Sequence, residues 1–207
     1  MVAFPDWEDD MTQTLKMTFE EYLNLEPGSL PAGRFEYVDG ALQELPPESE
    51  PNDFVANYLM FVMASDGVIP LRLIRPHTCE VEVPVLQEDD PRTRIPNLVI
   101  LRSEHLALTR RRLTITREMP PPLLIAEVVS PGSANEQRDY LRKRQQYEEL
   151  GVLEYWLINP QQQTVTVLTL QNGVYQEVGQ FRGKDAIRSA TFPNLSLTAE
   201  QMLSAGE

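Results

Sequence analysis

Residues 123–160 read LLIAEVVSPGSANEQRDYLRKRQQYEELGVLEYWLINP. One carboxylate, Glu127, stands inside an otherwise apolar run, Leu123-Leu124-Ile125-Ala126 before it and Val128-Val129 after. A short apolar run bounded by turn residues reads most simply as a buried strand. A charge in such a strand is costly unless it is paired, hydrogen-bonded or bound to a metal. Ser130-Pro131-Gly132-Ser133 then forms a loop, and a helix is expected over 135–150, stopped by Gly151. A second strand follows over 152–158, closed by Asn159-Pro160.

That helix carries Lys143, one of three lysines; the other fifteen basic residues are arginine. On a helical wheel Tyr140, Lys143, Tyr147 and Leu150 fall within an arc of about 80°. Lys143 therefore shares the face that packs on the sheet, with Asp139 one turn before it. Two readings follow from the wheel. The ammonium either snorkels outward over a packed stem or meets the carboxylate of Glu127 in a site for metal-assisted hydrolysis.

Outward from this segment the chain alternates strands and helices. Residues 1–16 read as a flexible arm, and 17–207 as one folded domain. Thr18-Phe19-Glu20-Glu21 opens a short helix with a capping box. Pro27-Gly28 and Pro31 mark a turn. Residues 34–38 and 41–45 flank Asp39-Gly40, a pairing suited to a type I′ hairpin. Pro46-Pro47 ends that hairpin, and residues 53–64 read as a helix. Strands are expected over 71–75, 78–85 and 95–101; in the second, Val81, Val83 and Val85 alternate with Glu80 and Glu82, which predicts a two-faced strand with the glutamates outward. The last third reads as a meander around Asn172-Gly173, then a short helix from about Thr198. The sum is an α/β (α+β) domain with a central mixed β-sheet flanked by helices and extra N- and C-terminal β-hairpins.

Composition narrows the function. The 207 residues are 42% hydrophobic and 24% charged, and no apolar stretch is long enough for a membrane helix. The acidic N-terminal residues MVAFPDWEDDMTQ lack the basic and apolar regions of a secretory signal, so a cytoplasmic location and no membrane partner are expected. One cysteine, Cys79, allows no internal disulfide, and two distant histidines give no zinc signature. A net charge of −13 argues against a broad nucleic-acid footprint. A local basic patch remains available in Arg138, Arg142 and Arg144, and a second in Arg110-Arg111-Arg112. The Tyr155-Trp156 pair and the meander offer either core or a homodimer surface.

The chain resembles the Uma2 family, also called domain of unknown function 820, of the PD-(D/E)XK restriction-endonuclease-like superfamily. The resemblance runs from Met17 to Leu203. It is carried by MTFEEYL (17–23), FEYVDG (35–40), IPNLVI (95–100), LIAEVVSP (124–131), RDYLRK (138–143) and the segment 147–160. It implies a restriction-endonuclease-like core and a Mg²⁺ (or Mn²⁺) phosphodiesterase site acting on DNA. In that pattern the mid-strand Glu is Glu127, the lysine from the following helix is Lys143, and the early hairpin Glu is Glu36. The superfamily's usual lysine position falls on Val129, which cannot serve.

The sequence departs from the pattern at Pro96-Asn97, where the family has Pro-Asp. Asn97 offers a neutral oxygen in place of an anion, which weakens a metal site substantially even at an effective dielectric near 20. Two outcomes are open: Glu80 or Glu82 on the neighbouring strand supplies the missing carboxylate, or the site binds metal weakly. The leading expectation is a Mg²⁺-dependent endonuclease-like protein with Glu127, Lys143 and Glu36 catalytic, and with Glu127 and Asn97 at the metal. DNA would meet Arg138, Arg142 and Arg144. The rival expectation is a catalytically degenerate nuclease fold that serves as a binding or regulatory module.

Overall fold

The computed structural model describes residues 16–26, 28–30 and 32–204. The expected arm over 1–16 lies outside them except for Lys16, as do Pro27 and Pro31 of the expected turn. Eleven strands are described: β1 (Phe35–Val38), β2 (Ala41–Glu44), β3 (Ile74–Pro76), β4 (Glu80–Glu82), β5 (Thr93–Arg94), β6 (Leu98–Ile100), β7 (Thr114–Ile115), β8 (Leu124–Val128), β9 (Glu154–Asn159), β10 (Thr164–Gln171) and β11 (Val174–Phe181).

Six strands form the central mixed sheet in the order β11-β10-β9-β8-β6-β3. Only β8 and β9 run parallel; the other neighbours are antiparallel. A parallel pair needs a long crossover, and here it is the helical segment 133–150, hereafter the site helix. The sheet is covered on both faces. Leu98, Ile100, Leu124, Ala126 and Trp156 pack toward α1 (Glu50–Ser65) and the C-terminal segment. On the other face Val99, Ile125, Val129 and Tyr155 pack with Tyr147 of the site helix. Alternation along β8 therefore turns Glu127 toward the site helix. Burying each large apolar side chain contributes about 1.5–3 kcal/mol, so the two clusters hold β8 and β9 firmly.

The hairpin β1–β2 turns through Asp39 and Gly40, both at positive φ (44° and 84°), as a type I′ turn requires. Gly151 ends the site helix in the left-handed conformation (φ 89°), and its N–H donates to the Tyr147 carbonyl at 3.1 Å. The final helix is capped by Thr198 and Gln201 in a reciprocal box.

Three expectations require correction. Residues 71–73 form a 3₁₀ turn, leaving only Ile74–Pro76 as strand; Pro70 and Pro76 bracket this segment and lack the N–H a ladder needs. The strand expected over 78–85 shortens to Glu80–Glu82 and joins β5 and β7 in a separate three-stranded sheet. There Glu80 and Glu82 are buried rather than outward-facing. Arginines supply the compensation that burial of a carboxylate requires: Arg112 pairs with Glu80 at 3.3 Å and Arg92 with Glu82 at 2.9 Å. Of the two alternatives open for Tyr155 and Trp156, the structure shows the first: both are fully buried in the chain's own core.

Candidate active site

The register of β6 and β8 sets Leu98 opposite Ala126. Asn97, one residue before β6, therefore stands across from Glu127 at the sheet's end. Its amide oxygen accepts the Val128 N–H at 2.9 Å, so the side chain closes the ladder where backbone pairing stops. Since Oδ1 takes that donor, Nδ2 is the atom that faces the Glu48 carboxylate, 2.9 Å away.

The site helix brings the next groups. Residues 138–143 form one π-helical turn between two α-helical segments. Such turns insert an extra residue into the helix and are frequent at functional sites. This one points both Asp139 and Lys143 inward, where both are buried. The Lys143 ammonium lies 2.9 Å from Glu127 Oε2 and 3.0 Å from Asp139 Oδ1. The Tyr147 hydroxyl donates to Glu127 Oε1 at 2.8 Å, so both carboxylate oxygens are engaged. Arg138 holds Asp139 from outside at 3.1 Å.

Burial sets the protonation of this cluster. Burial pulls the Lys143 ammonium toward the neutral form, but Glu127 and Asp139 outweigh it and its pKa rises. Lys143 is therefore a firm cation. Glu127 and Asp139 share that one ammonium, and burial raises the Glu127 carboxyl above the usual range despite Lys143 and Tyr147. Burial and the adjacent Glu127 charge push the Tyr147 phenol well up, so it remains a donor.

Glu36 reaches the cluster from β1. Its carboxylate meets the buried Arg94 guanidinium at 3.1 Å, and Arg94 also donates to Gln146 Oε1 at 2.9 Å. Glu36, Glu48, Asn97, Glu127, Arg138 and Lys143 all line one cavity of about 410 Å³.

Sequence reasoning named five of those six, and the fold gathers them at one cavity wall. Glu80 and Glu82 do not belong to it: at the smaller sheet the hydroxyl of Tyr22, from the helix Phe19–Asn24, and the Thr114 hydroxyl donate to Glu80, and the Arg117 N–H donates to Glu82 at 2.9 Å. Arg142 pairs with Asp90 at 3.3 Å and Arg144 donates to the Tyr175 carbonyl at 3.4 Å, so of the three expected DNA contacts only Arg138 borders the cavity. Glu48 was overlooked because it follows Pro46-Pro47, which reads only as the end of the hairpin. Gln146 and Arg94 gave no separable signal.

A family described as "Uma2: Putative restriction endonuclease" matches residues 19–200. The chain belongs to the Uma2 family. The crystal structure of "a putative nuclease belonging to DUF820" from Anabaena variabilis ATCC 29413 is similar to it over 92% of this chain and 97% of that one, with 19% identity and a TM-score of 0.59. At that identity the likeness concerns the fold, and it agrees with the helix-flanked central mixed sheet described above. No curated protein matches the chain.

The Uma2 cavity can be tested for a divalent cation by its donors. Among the described residues no group of three His, Cys, Asp or Glu side chains is placed to hold a metal ion together. Mg²⁺ asks for less: one or two carboxylates, with waters and substrate phosphate oxygens completing the shell. Carboxylates of Glu127, Glu48 and Glu36 and the Asn97 amide oxygen are hard donors on one wall. This set fits an open divalent site. Among the described residues no helix is long and apolar enough to cross a membrane.

Proposed function

We propose that this cavity is a phosphodiesterase site acting on DNA, dependent on Mg²⁺ or Mn²⁺ of modest affinity. The observation that carries the reading is the 2.9 Å contact between Lys143 and Glu127, facing Asn97 across the end of the sheet. Membership of a family described as a restriction endonuclease supports it. A cytosolic location belongs to the same reading.

Glu127 and the Asn97 oxygen would hold the ion. When bound, the ion would supply Lewis-acid polarisation of the phosphodiester and lower the pKa of a water so that it can lose a proton and attack as hydroxide. Tyr147 donates to one Glu127 oxygen and Lys143 contacts the other, the oxygen that would turn to the ion. Lys143 would stabilise negative charge as it builds on the phosphoryl oxygens. Asp139 holds that ammonium at the cavity wall while its partner changes. Arg138 offers one phosphate contact at the rim.

The arginines near the cavity are few and mostly engaged, so the DNA footprint is small. Salt dependence reports the count directly. We expect no more than about four phosphate contacts, each contributing roughly −0.9 to the slope of log affinity against log salt on duplex DNA. Fluorescence anisotropy of a labelled duplex with Mg²⁺, titrated across salt concentrations, measures it. A steeper slope would place binding on a larger surface than this cavity. No binding at low salt with metal present would remove DNA as the ligand of the isolated protein and favour the binding-module reading.

A further inference from the structure

We infer that Glu48 supplies the anionic ligand that Asn97 lacks. The inference rests on the divalent-ion reading of the cavity and adds a residue to it.

Three carboxylates line the cavity, and they differ in how far their charge is already matched. Glu127 is buried against the Lys143 ammonium, and Glu36 against the buried Arg94 guanidinium. Among the described residues Glu48 has only Arg34 within ion-pair distance, 3.7 Å away, and the two side chains are 22% and 26% exposed. A pair that long and that wet neutralises little. Glu48 therefore keeps the most available charge on the cavity wall.

Its position is built rather than incidental. Asn97 Oδ1 is pinned by the Val128 N–H, which fixes Nδ2 toward Glu48 Oε2 at 2.9 Å. On the other side Asn52, buried at the start of α1, donates to Glu48 Oε1 at 3.3 Å and to the Ser130 hydroxyl at 3.0 Å. Two preceding prolines restrict the approach of the chain. Together Asn97 and Glu48 carry one negative charge, the charge an aspartate at position 97 would carry alone. The anion has moved from the strand end to the loop that leads into α1.

A second carboxylate at position 97 would then meet Glu48 at hydrogen-bond distance, so the two positions are coupled in a testable way. Four proteins decide the matter: wild type, Glu48→Gln, Asn97→Asp and the double variant. Two readouts are taken, Mn²⁺ affinity by calorimetry and the melting temperature in EDTA. Glu48→Gln is expected to weaken Mn²⁺ by roughly tenfold or more through loss of one unit of charge. Asn97→Asp is expected to melt below wild type in EDTA, since two carboxylates then face each other, and to bind Mn²⁺ more tightly. The double variant returns the site to one charge and is expected to recover most of the affinity lost in Glu48→Gln and the stability lost in Asn97→Asp. Wild-type affinity in Glu48→Gln, or a double variant no better than Glu48→Gln, overturns the role of Glu48. If Glu48→Gln alone does not fold, the melting temperatures of Asn97→Asp and the double variant decide, and no difference between them overturns it. Absence of Mn²⁺ binding in wild type and in Asn97→Asp alike overturns the divalent-ion reading itself.

Discussion

Replacing Lys143 with methionine is expected to destabilise the protein by about 3–5 kcal/mol at neutral pH, the usual cost of removing one partner from a buried ion pair. The side chains of Glu127 and Asp139 are at most 2% exposed, and Lys143 is the ammonium between them. Without it Asp139 retains Arg138, but Glu127 retains only the Tyr147 hydroxyl. The orphaned Glu127 carboxyl then has a folded pKa raised above its unfolded value. Its penalty grows as the pH rises through that folded pKa and shrinks as the pH falls and the carboxyl takes up a proton. Urea unfolding of wild type and Lys143→Met at pH 7.5 and at pH 5 measures both points. A loss below about 1 kcal/mol at pH 7.5, the range of exposed pairs, would mean that the ammonium snorkels to solvent.

Arg94→Met is expected to cost a similar amount, again about 3–5 kcal/mol for one half of a buried pair. Arg94 joins β1, β5 and the site helix through Glu36 and Gln146. Its removal strands the Glu36 carboxylate, while the hairpin keeps its backbone links: the Tyr37 N–H donates to the Thr93 hydroxyl at 2.9 Å and the Arg92 N–H to the Tyr37 carbonyl at 2.8 Å. Most of the cost is thus the unpaired charge rather than a detached hairpin. The double variant Glu36→Leu with Arg94→Met should accordingly be more stable than Arg94→Met alone. A double variant that loses the sum of the two single costs would show that the two groups act independently.

The part of the fold legible in the sequence was the part where pattern and packing agree. The run around Glu127 is apolar on both faces because helices cover both faces of β8, and Gly151 announces the helix end because only a left-handed residue fits there. Lys143 could be placed on the packed face from its spacing to Tyr147. Its partner could be named because a carboxylate in a buried strand needs one.

The smaller sheet was not legible for the opposite reason. Alternating Val and Glu in 80–83 has the form of a half-exposed strand, and the arginines that make burial tolerable lie 10 residues away at Arg92 and 32 residues away at Arg112. Local periodicity carries no information about such distant partners. The π turn was equally silent, because spacing alone does not reveal an extra residue in a helix, although Asp139, four residues before Lys143, already falls beside it on an ideal wheel. Glu48 was hidden because its meaning depends on Asn97, 49 residues later, with which it shares a hydrogen bond.

The central claim is that Glu127 is an ion-binding carboxylate and not only the buried half of an ion pair. Calorimetric titration of Mn²⁺ into wild type and into Glu127→Gln tests it without any knowledge of the DNA sequence recognised. Glutamine keeps the shape of the side chain, and Lys143 keeps Asp139 as its partner. Wild type is expected to bind one ion weakly and Glu127→Gln to bind none in the same range. Equal binding in the two proteins, or none in wild type, would contradict the assignment.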